Sequence, residues 1–197
     1  MNFYQPSFFG IFASMIYKFI FILCYLICLQ SNAQQVLLTS TTGKQCTDTE
    51  LYKGKATVFF FISPECPLCQ SYTLTIRNLV TQFSTNGITF IGIVPGNDYT
   101  IDEIIAFKQT YALPIELFKD EKLQLVSKYK VTITPEVVVV NNKINVLYQG
   151  RIDNWAYALG KKRRVITEHD LLNSLQLIVS NKPIKISKTK AIGCFIE

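Results

Sequence analysis

Two kinds of pattern organise the apolar positions of this chain. Ala56-Thr57-Val58-Phe59-Phe60-Phe61-Ile62 and Ile88-Thr89-Phe90-Ile91-Gly92-Ile93-Val94 are continuous apolar runs, which predict strands covered on both faces in the middle of a sheet. Between them, Tyr72, Ile76, Leu79, Val80 and Phe83 recur at helical spacing, with Gln70, Thr73, Arg77 and Gln82 on other faces, so an amphipathic helix packs on that sheet until Asn86-Gly87 ends it. Ile101, Ile104, Ile105, Lys108 and Tyr111 mark a second helix, with Thr100 and Glu103 spaced as a capping box. Leu113 to Phe118 reads as extended and Glu121 to Tyr129 as a short helix. Pro135 to Val140 and Ile144 to Gln149 read as two strands of a hairpin around Asn141-Asn142-Lys143. Thr167 is the expected cap of a last helix whose apolar face is Leu171, Leu172, Leu175, Ile178 and Val179, stopped by Asn181-Lys182-Pro183. Val36 to Thr39 is a short leading strand, followed by a turn at Thr41-Thr42-Gly43-Lys44. Strand, helix, strand, helix, then strand, strand, helix implies an α/β protein with a mixed central sheet flanked by helices.

The chemistry stands at the end of the first long apolar run. Ser63-Pro64-Glu65 cannot continue a strand, and Pro67 suits the first turn of a helix, where its missing N–H costs no bond. Cys66 is therefore expected at a helix N-terminus, with Cys69 three positions on. Free backbone N–H groups and the helix dipole stabilise a thiolate there, lowering its pKa from about 8.5 and making Cys66 the attacking sulfur; Cys69 would resolve the mixed disulfide. A purely structural Cys66–Cys69 bridge closes too short a loop to restrict the unfolded chain much. Half of a zinc site would need two further ligands, and His169, Cys46 and Cys194 stand at no zinc-finger or zinc-knuckle spacing, so no metal is assigned.

Residues 1–33 read as a targeting segment: Lys18 precedes the apolar run Phe19 to Leu29, and Ser31-Asn32-Ala33 is a small-residue cleavage site. The alternative keeps the segment as an uncleaved anchor, since Ile11 to Leu29 is nearly long enough to span a bilayer. Neither Cys24 nor Cys28 is preceded by the small residue of a lipobox. Export to the periplasm or cell envelope follows in either case. The rest is one domain, residues 34–180, with a tail, 181–197, that carries Cys194.

Outside the cytosol disulfides persist. A catalytic Cys66/Cys69 pair leaves Cys46 and Cys194 to pair with each other or to stay free. The net charge of +6 is no nucleic-acid signal, because the basic residues are scattered apart from Lys161-Lys162-Arg163-Arg164.

Phe59-Phe60-Phe61-Ile62-Ser63-Pro64-Glu65-Cys66-Pro67-Leu68-Cys69 and Val131-Thr132-Ile133-Thr134-Pro135-Glu136, in this element order, resemble the thioredoxin-like superfamily. Over roughly Val36 to Ser180 the likeness is to exported redoxin proteins of the alkyl hydroperoxide reductase/thiol-specific antioxidant (AhpC/TSA) type. The resemblance implies that Pro135 is a cis proline facing the cysteines and that Thr134 offers its backbone to a bound peptide or partner thiol. Tyr148 to Asp153 and Gly193-Cys194-Phe195-Ile196 look like features of a redoxin subgroup, which makes Cys194 a candidate second resolving thiol.

The expected activity is thiol-disulfide exchange on protein or small-molecule thiols and disulfides, with no cofactor and an unidentified redox partner. A thiol peroxidase is the second reading, with Cys66 oxidised, Cys69 or Cys194 resolving and Arg151 supporting the thiolate or peroxide; a surface ion pair of Arg151 with Asp153 or Glu136 is the plainer role. Counted back from Cys66, the peroxiredoxin motif finds its hydroxyl at Ser63 but Phe59 in place of its proline. A copper-handling protein using the two thiols and His169 is the non-enzymatic alternative. Tyr99, Trp155 and Tyr157 are candidate substrate contacts.

Overall fold

The computed structural model describes residues 35–197 and, of the preceding segment, Lys18 alone. The chain divides into two units, Met1–Gln34 and Gln35–Glu197; the targeting segment expected over residues 1–33 thus lies outside the described residues apart from Lys18. Among the described residues no helix is long and apolar enough to cross a membrane.

The strands are β1 (Leu37–Ser40), β2 (Gln45–Thr47), β3 (Ala56–Phe61), β4 (Ile88–Pro95), β5 (Glu116–Asp120), β6 (Ile133–Thr134), β7 (Glu136–Asn141), β8 (Val146–Gly150), β9 (Ala156–Ala158), β10 (Lys161–Lys162) and β11 (Cys194–Phe195). The helices are α1 (Pro67–Phe83), α2 (Ile101–Thr110), α3 (Gln124–Tyr129) and α4 (Asp170–Val179). Seven strands form one sheet in the order β2-β1-β5-β4-β3-β7-β8. β3 runs parallel to β4 and β4 to β5, while the other pairings are antiparallel, so the sheet is mixed.

The two continuous apolar runs sit at its centre for the reason the sequence gives. Val58, Phe60 and Ile62 enter one core with Tyr72, Ile76 and Leu79 of α1, Ile104 and Phe107 of α2, and Leu171, Leu175 and Ile178 of α4. Phe59 and Phe61 enter the other with Ile91, Ile93, Val138, Val140 and, from α3, Leu125, Val126 and Tyr129. Alternate residues of one strand thus serve two cores, each closed by helices.

Local chemistry sets the helix ends. Thr100 and Glu103 form the expected capping box, Glu103 N–H donating to Thr100 Oγ1 at 3.3 Å and Thr100 N–H to Glu103 Oε2 at 2.7 Å. The fully buried Asp120 carboxylate accepts the N–H groups of Gln124, Leu125 and Val126 at 2.8 to 3.0 Å, so α3 begins at Gln124 rather than Glu121. Thr167 does not cap α4: it exchanges hydrogen bonds with the Asn154 side chain, 2.7 and 3.0 Å, and His169 takes the cap position.

The tail is not a free appendage. Gln149 of β8 donates its N–H to the Ser187 carbonyl at 2.9 Å and accepts from Thr189 N–H at 3.0 Å, adding the tail to the sheet edge. Gly150, at φ 144°, permits this, because a Cβ there would strike the Thr189 carbonyl and hydroxyl. Thr189 Oγ1 is also hydrogen-bonded to the Tyr148 hydroxyl, 2.6 Å, and accepts from Arg151 N–H, 3.1 Å.

Candidate active site at Cys66

Cys66 is the N-cap of α1, in extended conformation (φ −72°, ψ 115°), with Pro67 opening the helix and no acidic residue in its first turn. The first intrahelical bond runs from Gln70 N–H to the Cys66 carbonyl at 3.1 Å. The sulfur therefore stands where strand β3 hands over to a helix, at the positive end of the helix dipole. Glu65 is exposed beside it and lines the cleft above it.

The sulfur partner differs from the expected one. Cys66 is bridged to Cys194, 128 residues away, with Cα atoms 6.2 Å apart. Cys69 and Cys46 are free thiols, so Cys194 neither pairs with Cys46 nor stays unbonded. The reason lies in the tail. β11 lies antiparallel to β6, with Cys194 opposite Thr134 and Phe195 opposite Ile133, and Ile196 donates its N–H to the Thr132 carbonyl at 3.0 Å. Gly193 is required for this approach, since a Cβ there would run into the carbonyl of Thr134 and the nitrogen of Pro135.

The Thr134–Pro135 peptide bond is cis and both residues are buried. Cys66 Sγ lies 3.3 Å from the Thr134 carbonyl oxygen, a contact rather than a hydrogen bond while the sulfur is bridged. Cys69, one helical turn further on, is 1% exposed, and it accepts the Ser63 N–H at 3.4 Å. Burial pushes its thiol up to about 12, and the influence of the Ser63 N–H and the nearby Thr134 side chain only partly opposes the shift. All three cysteines Cys66, Cys69 and Cys194 thus meet at Thr134.

A cleft of about 250 Å³ opens over the bridge, lined by Ser63, Glu65, Cys66, Tyr99, Thr134 and Cys194 among others. Ser63 Oγ and the Tyr99 hydroxyl are hydrogen-bonded at 2.9 Å on its wall, a pair that sequence spacing did not bring together. Arg151 is not among the residues lining it. Its guanidinium is bound instead to Asp170 Oδ2, 2.7 Å from Nε, and to Glu168, so its ion partners are neither Asp153 nor Glu136.

The three aromatic candidates separate. Tyr99 is at the cleft, whereas Trp155 packs edge-on against Tyr72, whose hydroxyl donates to the buried Asp153 at 2.7 Å. Tyr157 is half exposed under Arg163, and Lys162 lies over Trp155, so the basic run 161–164 is partly a cover for aromatic rings. Among the described residues no three His, Cys, Asp or Glu side chains converge as a metal site, and His169 is exposed at the start of α4. Cys46 is a half-buried thiol on β2, raised by burial and by Glu50.

The mixed sheet, the helix-capping cysteine and the cis proline opposite it define a thioredoxin-like protein. The profile of the AhpC/TSA family matches residues 29–149, and the chain belongs to that family. In fold it is similar to an uncharacterised conserved protein of Geobacillus kaustophilus, with TM-score 0.73 and 18% identity over 84% of this chain and 89% of that one. A hypothetical protein of Sinorhizobium meliloti gives TM-score 0.72 and 20% identity, over 83% and 91%. A secreted disulfide oxidoreductase of Mycobacterium tuberculosis, described as homologous to E. coli DsbE, gives TM-score 0.53 and 18% identity, over 71% and 93%. No curated protein matches the chain.

Proposed function

We propose that this protein is a thiol-disulfide oxidoreductase of the cell envelope, with Cys66 as the attacking sulfur. The observation that carries the reading is the bond from the helix-capping Cys66 to a second cysteine at Thr134, with a third thiol one turn away. The Cys66 thiolate attacks a sulfur of a partner disulfide, whose other sulfur leaves as thiolate and takes a proton. Cys69 or Cys194 then attacks Cys66 Sγ and expels the reduced partner, so two electrons and two protons pass to the substrate and an intramolecular disulfide remains. Thr134 and Pro135 form the surface on which the partner chain lies. Sulfur alone carries the electrons, so the cycle calls for no cofactor. The export pattern in residues 1–33, as cleaved signal or retained anchor, and the fold shared with a secreted disulfide oxidoreductase support the envelope setting. The test is insulin-disulfide turnover by the wild type and Cys66→Ser; retained turnover in the variant overturns the reading.

A second reading, thiol peroxidase, is favoured by the same bridge. A sulfenic acid on Cys66 condensing with the Cys194 thiol yields that disulfide and water. Ser63 beside Cys66 supplies a hydroxyl, but Phe59 is buried in the core where the peroxidase motif has its proline. Trapping a sulfenate at Cys66 under peroxide in Cys69→Ser/Cys194→Ser separates the two: no adduct removes the peroxidase.

A further inference from the structure

Three features of the tail go together. Its last strand lies antiparallel on Ile133–Thr134, its cysteine is bonded to the attacking sulfur, and the residue before that cysteine is a glycine where a side chain would collide with Thr134 and Pro135. Beyond these, it is held by the Ile196 N–H on the Thr132 carbonyl and by partial packing of Cys194 and Ile196 on the two cores. Phe195 is 77% exposed, and β11 is two residues long, whereas upstream the tail is tied to β8 at Ser187 and Thr189.

We propose that Gly193-Cys194-Phe195-Ile196 is a tethered substrate, so that the Cys66–Cys194 bridge is an internal mixed disulfide which Cys69 opens. This rests on the oxidoreductase reading. Cys69 loses its proton to solvent, and its thiolate attacks Cys66 Sγ. The Cys66–Cys69 bond forms as the Cys66–Cys194 bond breaks, and the electron pair leaves on Cys194 Sγ, which is protonated. The step is an isomerisation: no electron enters or leaves the protein and no oxidant is consumed. Its geometric basis is that the two helix cysteines share Ser63, whose N–H donates to Cys69 Sγ at 3.4 Å and whose carbonyl accepts the Cys66 N–H at 3.2 Å, while Cys66 Sγ lies 3.3 Å from the Thr134 carbonyl. Once freed, the arm beyond Thr189 leaves the edge of β6 open. The partner that fits there is an extended peptide thiol or disulfide with glycine before its cysteine, because the backbone of Thr134 and Pro135 excludes a Cβ at that point. Tail and substrate therefore compete for one edge.

The experiment maps disulfides by mass in the full chain, oxidised by one bridge, acid-quenched after incubation at pH 7 and pH 9. The wild type is expected to contain both the Cys66–Cys194 and the Cys66–Cys69 isomers, reaching their ratio faster at pH 9. Cys69→Ser is expected to hold only the first. Gly193→Val, which lifts the tail, is expected to shift the ratio at least tenfold toward Cys66–Cys69. In Cys69→Ser/Cys194→Ser, the release of thionitrobenzoate from a peptide Ile-Gly-Cys-Phe-Ile activated at its cysteine is expected to be at least tenfold faster than from the same peptide with valine for glycine. A single isomer in the wild type, an unchanged ratio in Gly193→Val, or equal rates for the two peptides overturns the proposal. Isomers that interconvert in a protein inactive on insulin leave the tethered tail standing and remove only the oxidoreductase reading; insulin turnover without isomers does the reverse.

Discussion

Cys66 has two sulfur partners within reach of one threonine, and they are opposites. Cys69 is three residues away in sequence, on the same helix, 1% exposed, with a thiol pushed up to about 12 by burial. Cys194 is 128 residues away, on a two-residue strand at the surface, and it holds the bond. The contrast teaches that the fold, rather than spacing in the sequence, decides which sulfurs can meet, while desolvation decides which of them attacks and how readily. A buried thiol is a slow resolving group but a rigidly placed one; the half-buried tail sulfur at the edge of the cleft is more easily reached and more easily lost.

The largest effect should come from removing the sulfur both partners share. Cys66→Ser leaves neither bridge able to form, and insulin-disulfide turnover should fall at least about a thousandfold, to the level of solvent controls. Cys69→Ser and Cys194→Ser should each retain part of the activity, since each leaves one resolving thiol.

Next comes pH, which acts on the buried partner. With its thiol near 12, Cys69 is almost wholly protonated at neutrality, and its thiolate fraction grows about tenfold per pH unit up to that value. The opening of the Cys66–Cys194 bridge, followed by quenched mass mapping, should accelerate with that slope between pH 7 and 10. Stability runs the other way. The folded pKa lies above that of an ordinary thiol, about 8.5, so the unfolded chain loses this proton first; the contribution is complete below that value and is lost as pH rises toward 12. A flat rate profile would mean that Cys69 is not the attacking thiol.

A smaller difference separates the two bridged forms. The Cys194 bridge ties residues 128 apart, which by chain entropy stabilises the fold by about 4 to 5 kcal/mol, while a Cys66–Cys69 link restricts the unfolded chain much less. In non-reducing urea titrations, Cys69→Ala bridged to Cys194 should exceed Cys194→Ser bridged to Cys69 by about 2 to 3 kcal/mol, less the cost of the small cavity at Cys69. Equal midpoints would show that the tail contributes no constraint.

The same contrast explains what the sequence made legible. β3, β4 and α1 were readable because continuous apolar runs and a 3.6-residue stripe are local signals, and they fix Cys66 at the helix N-cap. Cys194 stood out through the family resemblance, but the strand pairing of the tail was not readable, because a two-residue strand has no periodicity and its partner β6 lies about sixty residues upstream. Gly193-Cys194-Phe195-Ile196, an apolar stretch after lysine-rich sequence, was the signal that could have marked it as a strand. Thr167 shows the other kind of miss: a good cap residue engaged by a distant Asn154, a competition no local pattern reveals.

The smallest effect is expected at Arg151, and it sharpens the comparison by standing outside both sulfur routes. Its guanidinium joins Asp170, 8% exposed at the start of α4, to Glu168, which is well exposed. The pairing with Glu168 is worth little in solvent, whereas Asp170 loses a charged hydrogen bond where water replaces it poorly. Arg151→Ala should therefore cost about 1 to 2 kcal/mol in urea unfolding, with Arg151→Lys recovering only part, because an ammonium cannot serve two carboxylates with the same fork. The pH profile of bridge opening should not move in either variant. If it does move, Arg151 acts on the thiolate through space, and the division between a packing charge at α4 and the three sulfurs at Thr134 fails.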